Sequence, residues 1–427
     1  MGAARDVVPA GARFMRTTAP AILLYNPISG HGHLDSWNAL FISLLLKAGW
    51  RVCAATPDAI DLVARLRVKG QADSPHLQIL NWHPSPRTLS ERVWGRLRRL
   101  LNPLLGPKTD AVQHDPRFLN PDDFARRVRM LRKQCQWPPE IVFNMYMDMY
   151  PTTRQSWQLF DWPKTLPWAG IRFVPTDDAS EGYYGLRELA GMCFLDERVR
   201  NRYIEVLPNK CFAYLPDITE DQLPSAQTDL LSEIKKRASG RKIVFLGGTL
   251  GGNKNLARWY QLIAQMDPDS WFFVQIGEMF EDTLSEADAR ELAQIKQRCP
   301  ENLFIKLAYL PNEAHFNEII QGSDVIFAVY RDFAISSNMP GKAAAFNKPI
   351  LVASGHLMGQ RVVQYGIGRA VGQDDISAMQ TALHELVKPS TTRRGCFEAY
   401  RQDFSLETLG HHFTQLLTEC IHSSQRS

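Results

Sequence analysis

The 427-residue chain lacks the features that mark secreted, metal-binding and membrane-spanning proteins. Its seven cysteines are scattered, and none forms a Cys-x-x-Cys pair or another metal-type spacing. An odd number of isolated cysteines favours free thiols in a reducing compartment over a disulfide framework. No apolar run approaches the roughly eighteen residues of a membrane span, and residues 1–20 have no signal-peptide core. We therefore expect a cytoplasmic protein with a flexible tail over residues 1–20.

The composition, with 44% hydrophobic and 22% charged residues, is that of a globular protein long enough for two domains. The formal net charge of +4 is unevenly distributed, because residues 84–134 contain twelve Lys and Arg against five Asp and Glu. Any anionic partner is therefore expected to meet this stretch.

Residues 89–105, bounded by Leu89 and Leu105, form the apolar part of this basic stretch. Their spacing predicts a basic amphipathic helix with Trp94 at the edge of its apolar face. The pattern is typical of a helix on an anionic membrane surface, and equally of one that packs on a sheet. Because few aromatic residues are interleaved with the basic ones, we expect no nucleic-acid partner.

Apolar runs alternate with helical patterns along the whole chain, which predicts the α/β class with parallel, doubly wound sheets. Each half opens with a strand, a Gly-rich loop and a helix, so we expect two Rossmann-like domains that face each other across a cleft. The first domain is predicted at residues 21–215, with residues 168–174 closing its sheet, and the second at residues 216–396. Residues 397–427 are predicted to form helices, and whether they cross back to the first domain is open.

The Gly-rich loop GGTLGGNKN lies at the end of a predicted strand of the second domain. Gly247, Gly248, Gly251 and Gly252 leave backbone N–H groups bare, and Lys254 supplies a point charge, so the loop predicts a pyrophosphate site. The spacing is not that of a P-loop, and a purely structural turn stays an alternative.

Two further strand ends of the second domain carry candidate residues. Glu278 follows a predicted strand at a position where a carboxylate could bind a ribose hydroxyl. Tyr309 and Leu310 follow the next strand, at the depth where a base could lie against backbone and aromatic groups. A solvated glutamate at the start of a loop is an equally good interpretation of Glu278.

A short segment after the strand near residue 325 predicts the start of a helix. Ser336, Ser337 and Asn338 are residues that favour N-caps, and an alanine run follows Lys342. A helix that begins at the C-terminal edge of a parallel sheet is a natural anion site.

The first domain offers candidates for proton transfer. Gly30, His31 and Gly32 belong to its Gly-rich loop, and His33 or Asp148 could deprotonate a hydroxyl nucleophile. A tight turn with a surface histidine, and a loop acid that caps a turn, are the alternative interpretations.

The pattern resembles the GT-B glycosyltransferases over residues 21–416, most strongly over 242–372. The resemblance implies a nucleotide-sugar donor in the second domain and an acceptor in the first. The loop with Gly30, His31 and Gly32 resembles the family's Gly-rich loop on the acceptor side. Gly247, Gly248 and Lys254 match the donor-side loop, the turn at Tyr309 matches the backbone contacts to the base, and residues 336–342 match the helix start that grips the diphosphate.

The chain departs from this family at its paired glutamates. Ala334 and Lys342 stand where many retaining members carry glutamates, so the stereochemical outcome is open. Charge on the leaving nucleotide would then be stabilised by Lys254, Lys342 and Arg331. The chain has no Asp-x-Asp cluster of the metal-dependent type, so neither a metal nor another cofactor is expected.

The sequence therefore predicts a hexosyltransferase that transfers a sugar from a nucleotide-sugar donor to a glycan or lipid-linked hydroxyl acceptor. A role in cell-surface polysaccharide or glycolipid synthesis, peripheral to the inner face of the membrane, fits this interpretation. A catalytically silent binding or scaffold protein and a nucleotide-sugar epimerase are the alternatives, and the oligomeric state is open.

Overall fold

The computed structural model describes residues 19–29, 33–82, 118–176, 179–310, 312–389 and 393–426. The strands of these residues form one sheet of seven strands and one of six, and every strand pairing is parallel. The predicted α/β class with two doubly wound sheets is confirmed. Residues 89–105, and with them the predicted basic amphipathic helix, lie outside the described residues.

The first sheet has the strand order β3-β2-β1-β4-β5-β6-β7. Its order reverses between β1 and β4, and loops that leave such a pair on opposite faces create a crevice at the C-terminal edge. The strands are β1 (Ala21–Tyr25), β2 (Arg51–Thr56), β3 (Leu77–Asn81), β4 (Ile141–Asn144), β5 (Trp168–Arg172), β6 (Leu189–Phe194) and β7 (Cys211–Tyr214).

Capping residues mark the start of two helices of the first domain. Asp58 accepts hydrogen bonds from the backbone N–H groups of Ile60 and Asp61, and Asn120 precedes a proline at the first helical position. Among the described residues of this domain, the helices are α1 (His33–Lys47), α2 (Ala59–Val68), α3 (Pro121–Gln134) and α4 (Glu197–Val206).

The prediction that residues 168–174 close the first sheet is wrong, because β6, α4 and β7 follow them. Ala190 and Gly191 interrupt the apolar run of β6 and lower its β-propensity. Gly191 is needed there: a Cβ at this position would lie 2.5 Å from the backbone oxygen of Cys211.

The second sheet has the order β10-β9-β8-β11-β12-β13, which reverses between β8 and β11. The strands are β8 (Lys242–Gly247), β9 (Trp271–Ile276), β10 (Leu303–Lys306), β11 (Val325–Ala328), β12 (Ile350–Ala353) and β13 (Gly368–Val371). The helices are α5 (Asp229–Ala238), α6 (Leu256–Gln265), α7 (Glu286–Arg298), α8 (Glu313–Gly322), α9 (Met339–Ala345), α10 (Leu357–Tyr365) and α11 (Ile376–Leu386).

Two helices then return the chain to the first sheet. Helix α12 (Arg393–Asp403) buries Phe397 and Tyr400 in the core of the second domain. Helix α13 (Leu406–Arg426) buries Phe413 and Leu417 in the core of the first domain, where Phe413 stacks edge-on against Phe143 of β4. None of the helices in the described part of the chain is long and apolar enough to cross a lipid bilayer.

Candidate functional site

The Gly-rich loop after β8 is built against the loop after β9. Gly248 has a φ of +94°, and its N–H donates to the carbonyl of Ile276. The N–H of Leu250 donates to the carbonyl of Glu278. A Cβ at Gly277 would lie 1.7 Å from the Gly248 oxygen, so only glycine allows the two loops to meet. The two loops therefore form one surface at the C-terminal edge of the sheet.

The other two glycines of the loop adjoin Thr283. The N–H of Gly252 donates to Oγ1 of Thr283 at 3.1 Å, and a Cβ at Gly252 would lie 2.2 Å from the Thr283 carbonyl oxygen. A Cβ at Gly251 would lie 2.9 Å from Oγ1 of the same threonine. These glycines permit close packing. The prediction that the loop glycines leave their N–H groups bare is wrong for Gly248 and Gly252, whose N–H groups donate to Ile276 and Thr283.

Lys254 ends a 3₁₀ turn (Gly252–Lys254) and is only 8% exposed. Its Nζ lies 3.8 Å from the ring centroid of Tyr330 and 3.9 Å from the position of a Cβ at Gly248. Among the described residues, no hydrogen bond or ion pair reaches this ammonium, and the buried Tyr330 hydroxyl has no partner either. Burial lowers the pKa of Lys254 to about 7. The loop thus holds an unpaired amine beside the Gly248 turn.

Arg331 joins the Gly-rich loop to α7. Its Nη1 lies 3.1 Å from Oδ2 of the fully buried Asp288, and its Nη2 donates to Oδ1 of Asn255 at 2.8 Å. Asn255 has a left-handed conformation (φ 57°), and its Nδ2 donates to the carbonyl of Gln373. These contacts give Arg331 a structural role, because its guanidinium holds the Gly-rich loop in place. They do not include the predicted stabilisation of the leaving nucleotide.

Glu278, Tyr309 and Leu310 lie at the same edge of the sheet. The Glu278 side chain is exposed after β9, and Tyr309 is 67% exposed after β10. Leu310 is half-buried against the core of the domain. The exposed carboxylate and phenol ring follow neighbouring strands, which places both within the predicted donor site.

The segment before α9 contacts protein groups rather than open space. Oγ of Ser336 donates to Oδ2 of Asp217 at 3.1 Å, and Oγ of Ser337 accepts from the N–H of Met339. Asn338 directly precedes the helix, but its side chain makes no capping hydrogen bond. Asn338 therefore occupies the N-cap position, as its residue type predicts, without a side-chain cap.

Lys342 has a structural role that differs from the predicted phosphate contact. The residue is 1% exposed, and its ammonium donates to the carbonyl of Glu220, to Oδ1 of Asn317 and to Glu313. An ammonium has three N–H donors, so none is left for a ligand. Lys342 therefore ties α9 to α8.

Asp148 also has hydrogen-bond partners that were not predicted. Its Oδ2 accepts from the N–H of Phe173 and its Oδ1 from the N–H of Val174, both at 2.8 Å, while Nη1 of Arg172 lies 3.8 Å away. The carboxylate thus fastens the loop after β4 to the end of β5. His33 is the first residue of α1, but its side chain, like Gly30, His31 and Gly32, lies outside the described residues.

Two residues near the site were not among the sequence candidates. Tyr330 ends the apolar run that begins with β11. Its position at the end of that run is the sequence signal that indicates it. Arg361 lies on the apolar face of α10 with Leu357 and Val362, where a lone arginine predicts a buried partner. That partner is in the first domain: Nη2 of Arg361 donates to the carbonyl of Leu195 and to Oε2 of Glu197.

One Asp-x-Asp sequence is present, at Asp267 and Asp269. It forms the turn before β9, at the edge of the sheet opposite the Gly-rich loop. Oδ1 of Asp267 accepts from the N–H of Asp269, and Oδ2 accepts from Oγ of Ser270. The pair is therefore a turn motif at the wrong edge to take part in a donor site.

No protein-family model matches the chain, and no curated protein sequence matches it significantly. Solved structures do match it along nearly its whole length. A Rickettsia africae glycosyltransferase matches with a TM-score of 0.64 and 11% identity over 95% of this chain and 99% of that one. A UDP-forming α,α-trehalose-phosphate synthase from Burkholderia vietnamiensis matches with a TM-score of 0.64 and 13% identity over 95% and 99%.

Anabaena HepE, solved in complex with UDP, matches with a TM-score of 0.57 and 11% identity over 93% of this chain and 99% of that one. At such identities the likeness shows a shared fold. The chain therefore has the GT-B fold that its sequence resembles.

Proposed function

We propose that the protein is a glycosyltransferase that moves a sugar from a nucleoside-diphosphate donor to a hydroxyl acceptor. The observation that carries the proposal is the unpaired, buried amine of Lys254 beside Gly248, at the C-terminal edge of a parallel sheet. Such an edge is where ligands bind in doubly wound folds, and a diphosphate would supply the missing anionic partner. The fold shared with a UDP-bound structure supports a nucleotide donor.

In the proposed reaction, the Lys254 ammonium stabilises negative charge on the departing diphosphate. Arg331 and Asn255 hold the loop that carries Lys254. Glu278 and Tyr309 border the same edge and would meet the nucleoside part of the donor. Asp148 or His33 of the first domain would take the proton of the acceptor hydroxyl.

The finer features of the proposal concern the acceptor and its place in the cell. We propose a hexosyl donor, a glycan or lipid-linked acceptor of cell-surface polysaccharide or glycolipid synthesis, and a reaction without metal. Residues 89–105 would bring the protein to an anionic membrane from the cytoplasmic side. Co-flotation with anionic liposomes tests the membrane contact, and absence of flotation would exclude it.

A catalytically silent nucleotide-binding protein is the second candidate. It is favoured by the hydrogen bonds of Lys342 and Asp148, two sequence candidates for the reaction that both have partners within the protein. The two candidates differ in turnover. A transferase releases nucleotide from its donor faster when a hydroxyl acceptor is added, whereas a silent protein binds the donor unchanged.

The test of the donor site is a thermal-shift and calorimetric screen with UDP, GDP, ADP and CDP and their sugars. We expect one nucleotide class to stabilise the protein, and Lys254→Met to weaken its binding at least tenfold because the anion loses its cationic partner. Lys236→Met is the matched control, since Lys236 is an exposed lysine of α5 at the opposite end of β8. Absence of stabilisation by every nucleotide would overturn the proposal.

A further inference from the structure

Two thiols from distant parts of the chain meet at Gly191 of β6. Cys211 lies on β7 as the register partner of Gly191, and Cys420 lies on α13. A Cβ at Gly191 would lie 2.7 Å from Sγ of Cys420 and 3.2 Å from Cβ of Cys211. These two cysteine atoms are therefore within about 6 Å of each other, close enough for a change of side-chain rotamer to bring the sulfurs together. The missing side chain of Gly191 is what makes room for this approach.

The two thiols differ in access and acidity. Cys420 is fully buried, whereas Cys211 is half-buried on the last strand of the sheet, with Oγ of Ser423 3.9 Å from its Sγ. The hydrogen bond from the Cys420 thiol, aided by Ser423, lowers the pKa of Cys211 to about 7. A thiolate is the form that reacts with oxidants, so Cys211 is the thiol that an oxidant meets first.

We propose that Cys211 and Cys420 form an oxidation site at which hydrogen peroxide converts the thiol pair into a reversible disulfide. The proposal rests on the geometry of the first domain and is independent of the proposed function.

The reaction balances with peroxide as the oxidant. The Cys211 thiolate attacks one peroxide oxygen, the O–O bond breaks, and a sulfenic acid forms while hydroxide leaves and is protonated to water. The Cys420 sulfur then attacks Sγ of Cys211, and the S–O bond breaks. The leaving hydroxide takes the proton of the Cys420 thiol and becomes the second water. Two thiols and one peroxide thus give one disulfide and two waters.

The disulfide would close a loop of about 210 residues that contains the whole second sheet. A cross-link over so long a loop removes much of the conformational freedom of the unfolded chain. We therefore expect the peroxide-treated protein to melt roughly 5 °C or more above the reduced protein.

The experiment treats the full, reduced chain with a small excess of hydrogen peroxide, followed by peptide mapping without reductant and by melting. We expect a linked peptide that joins Cys211 to Cys420, a raised Tm, and loss of both on addition of dithiothreitol. Cys211→Ser should abolish both effects, and Cys299→Ser, which alters an exposed thiol elsewhere, should abolish neither.

Two outcomes would overturn the proposal. One is oxidation of Cys211 to sulfinic or sulfonic acid without the linked peptide. The other is linkage of Cys420 to Cys193, the buried thiol of β6, in place of Cys211. Because the mapping uses the unaltered protein, the result stands even if a variant at the buried Cys420 fails to fold.

Discussion

At neutral pH about half of the Lys254 side chains carry a charge, since burial lowers the pKa of this residue to about 7. In the unfolded chain its pKa returns to about 10.4. Between these values the unfolded state binds the extra proton, so the contribution of Lys254 to stability increases as the pH rises through this window. A bound diphosphate has the opposite preference, because it stabilises the ammonium.

We predict that binding of the stabilising nucleotide takes up a proton at Lys254 above pH 7. As the pH rises above 7, the nucleotide affinity should then fall by up to about tenfold per pH unit. The same pH series with Lys254→Met serves as the reference, because it contains only the titration of the phosphate. Calorimetry at pH 8 in two buffers of different ionisation enthalpy measures the proton uptake directly. Equal uptake by the wild type and Lys254→Met would contradict this assignment.

The positions of single residues in the fold can be predicted from the sequence where the local pattern determines them. The glycines and Lys254 follow a strand directly, so their place at the sheet edge could be inferred. Lys342 could not be understood in this way, because its partner Glu313 lies on another helix and nothing in the local sequence links them. The same holds for Asp148, because its hydrogen-bond partners, Phe173 and Val174, follow the next strand of the sheet.

At the level of secondary-structure elements, the pair of helices α8 and α9 depends on one buried ammonium. Lys342→Met would leave Oδ1 of the buried Asn317 without a donor and Glu313 without its cation, and the Glu220 carbonyl would keep only the hydrogen bond from Nδ2 of Asn317. We predict a loss of about 2–4 kcal/mol in the free energy of unfolding, measured by urea denaturation, and nucleotide affinity within twofold of wild type.

Lys348→Met is the matched control for this prediction. Lys348 follows α9 and is half-buried, and burial lowers its pKa, so loss of its charge should cost little stability. Tenfold weaker nucleotide binding by Lys342→Met at unchanged stability would instead restore the phosphate role.

Two glycines within secondary-structure elements, which local sequence patterns do not explain, share a physical cause. Strand β6 contains Gly191, whose small size serves the approach of a helix more than 200 residues later in the chain. Helix α9 was predicted at the correct start, yet Gly341 within it is required because a Cβ there would lie 1.9 Å from Oγ1 of Thr219. Long-range packing determines both positions, and a single sequence carries no direct record of it.

At the scale of the whole molecule, Arg361 connects the two domains. It extends from α10 to Leu195 and Glu197 of the first domain, and its guanidinium lies 5.6 Å from the Tyr214 ring centroid and 5.1 Å from that of Phe404. Nη1 also donates to Oγ of Ser336, close to the predicted donor site. The relative placement of the domains and the site therefore depend on the same side chain.

We predict that Arg361→Met uncouples the domains, because the buried Leu195 carbonyl and Glu197 lose their donor. Differential scanning calorimetry should show two separated unfolding transitions where the wild type shows one. Arg369→Met, which removes an exposed arginine paired with Glu385, is the control and should leave the profile unchanged. A single, unshifted transition in Arg361→Met would show that other contacts hold the domains together.

The return of α13 to the first sheet has a consequence for synthesis on the ribosome. Leu409, Phe413 and Leu416 help to complete the core beside β1 and β4, although the residues of that core outside α13 precede the helix by about 190 positions or more. A nascent chain that has emerged only as far as β7 therefore presents an uncovered apolar face. That face stays exposed to solvent while the entire second domain is translated. This protein should therefore depend on chaperones that cover the apolar face until α13 has been synthesised.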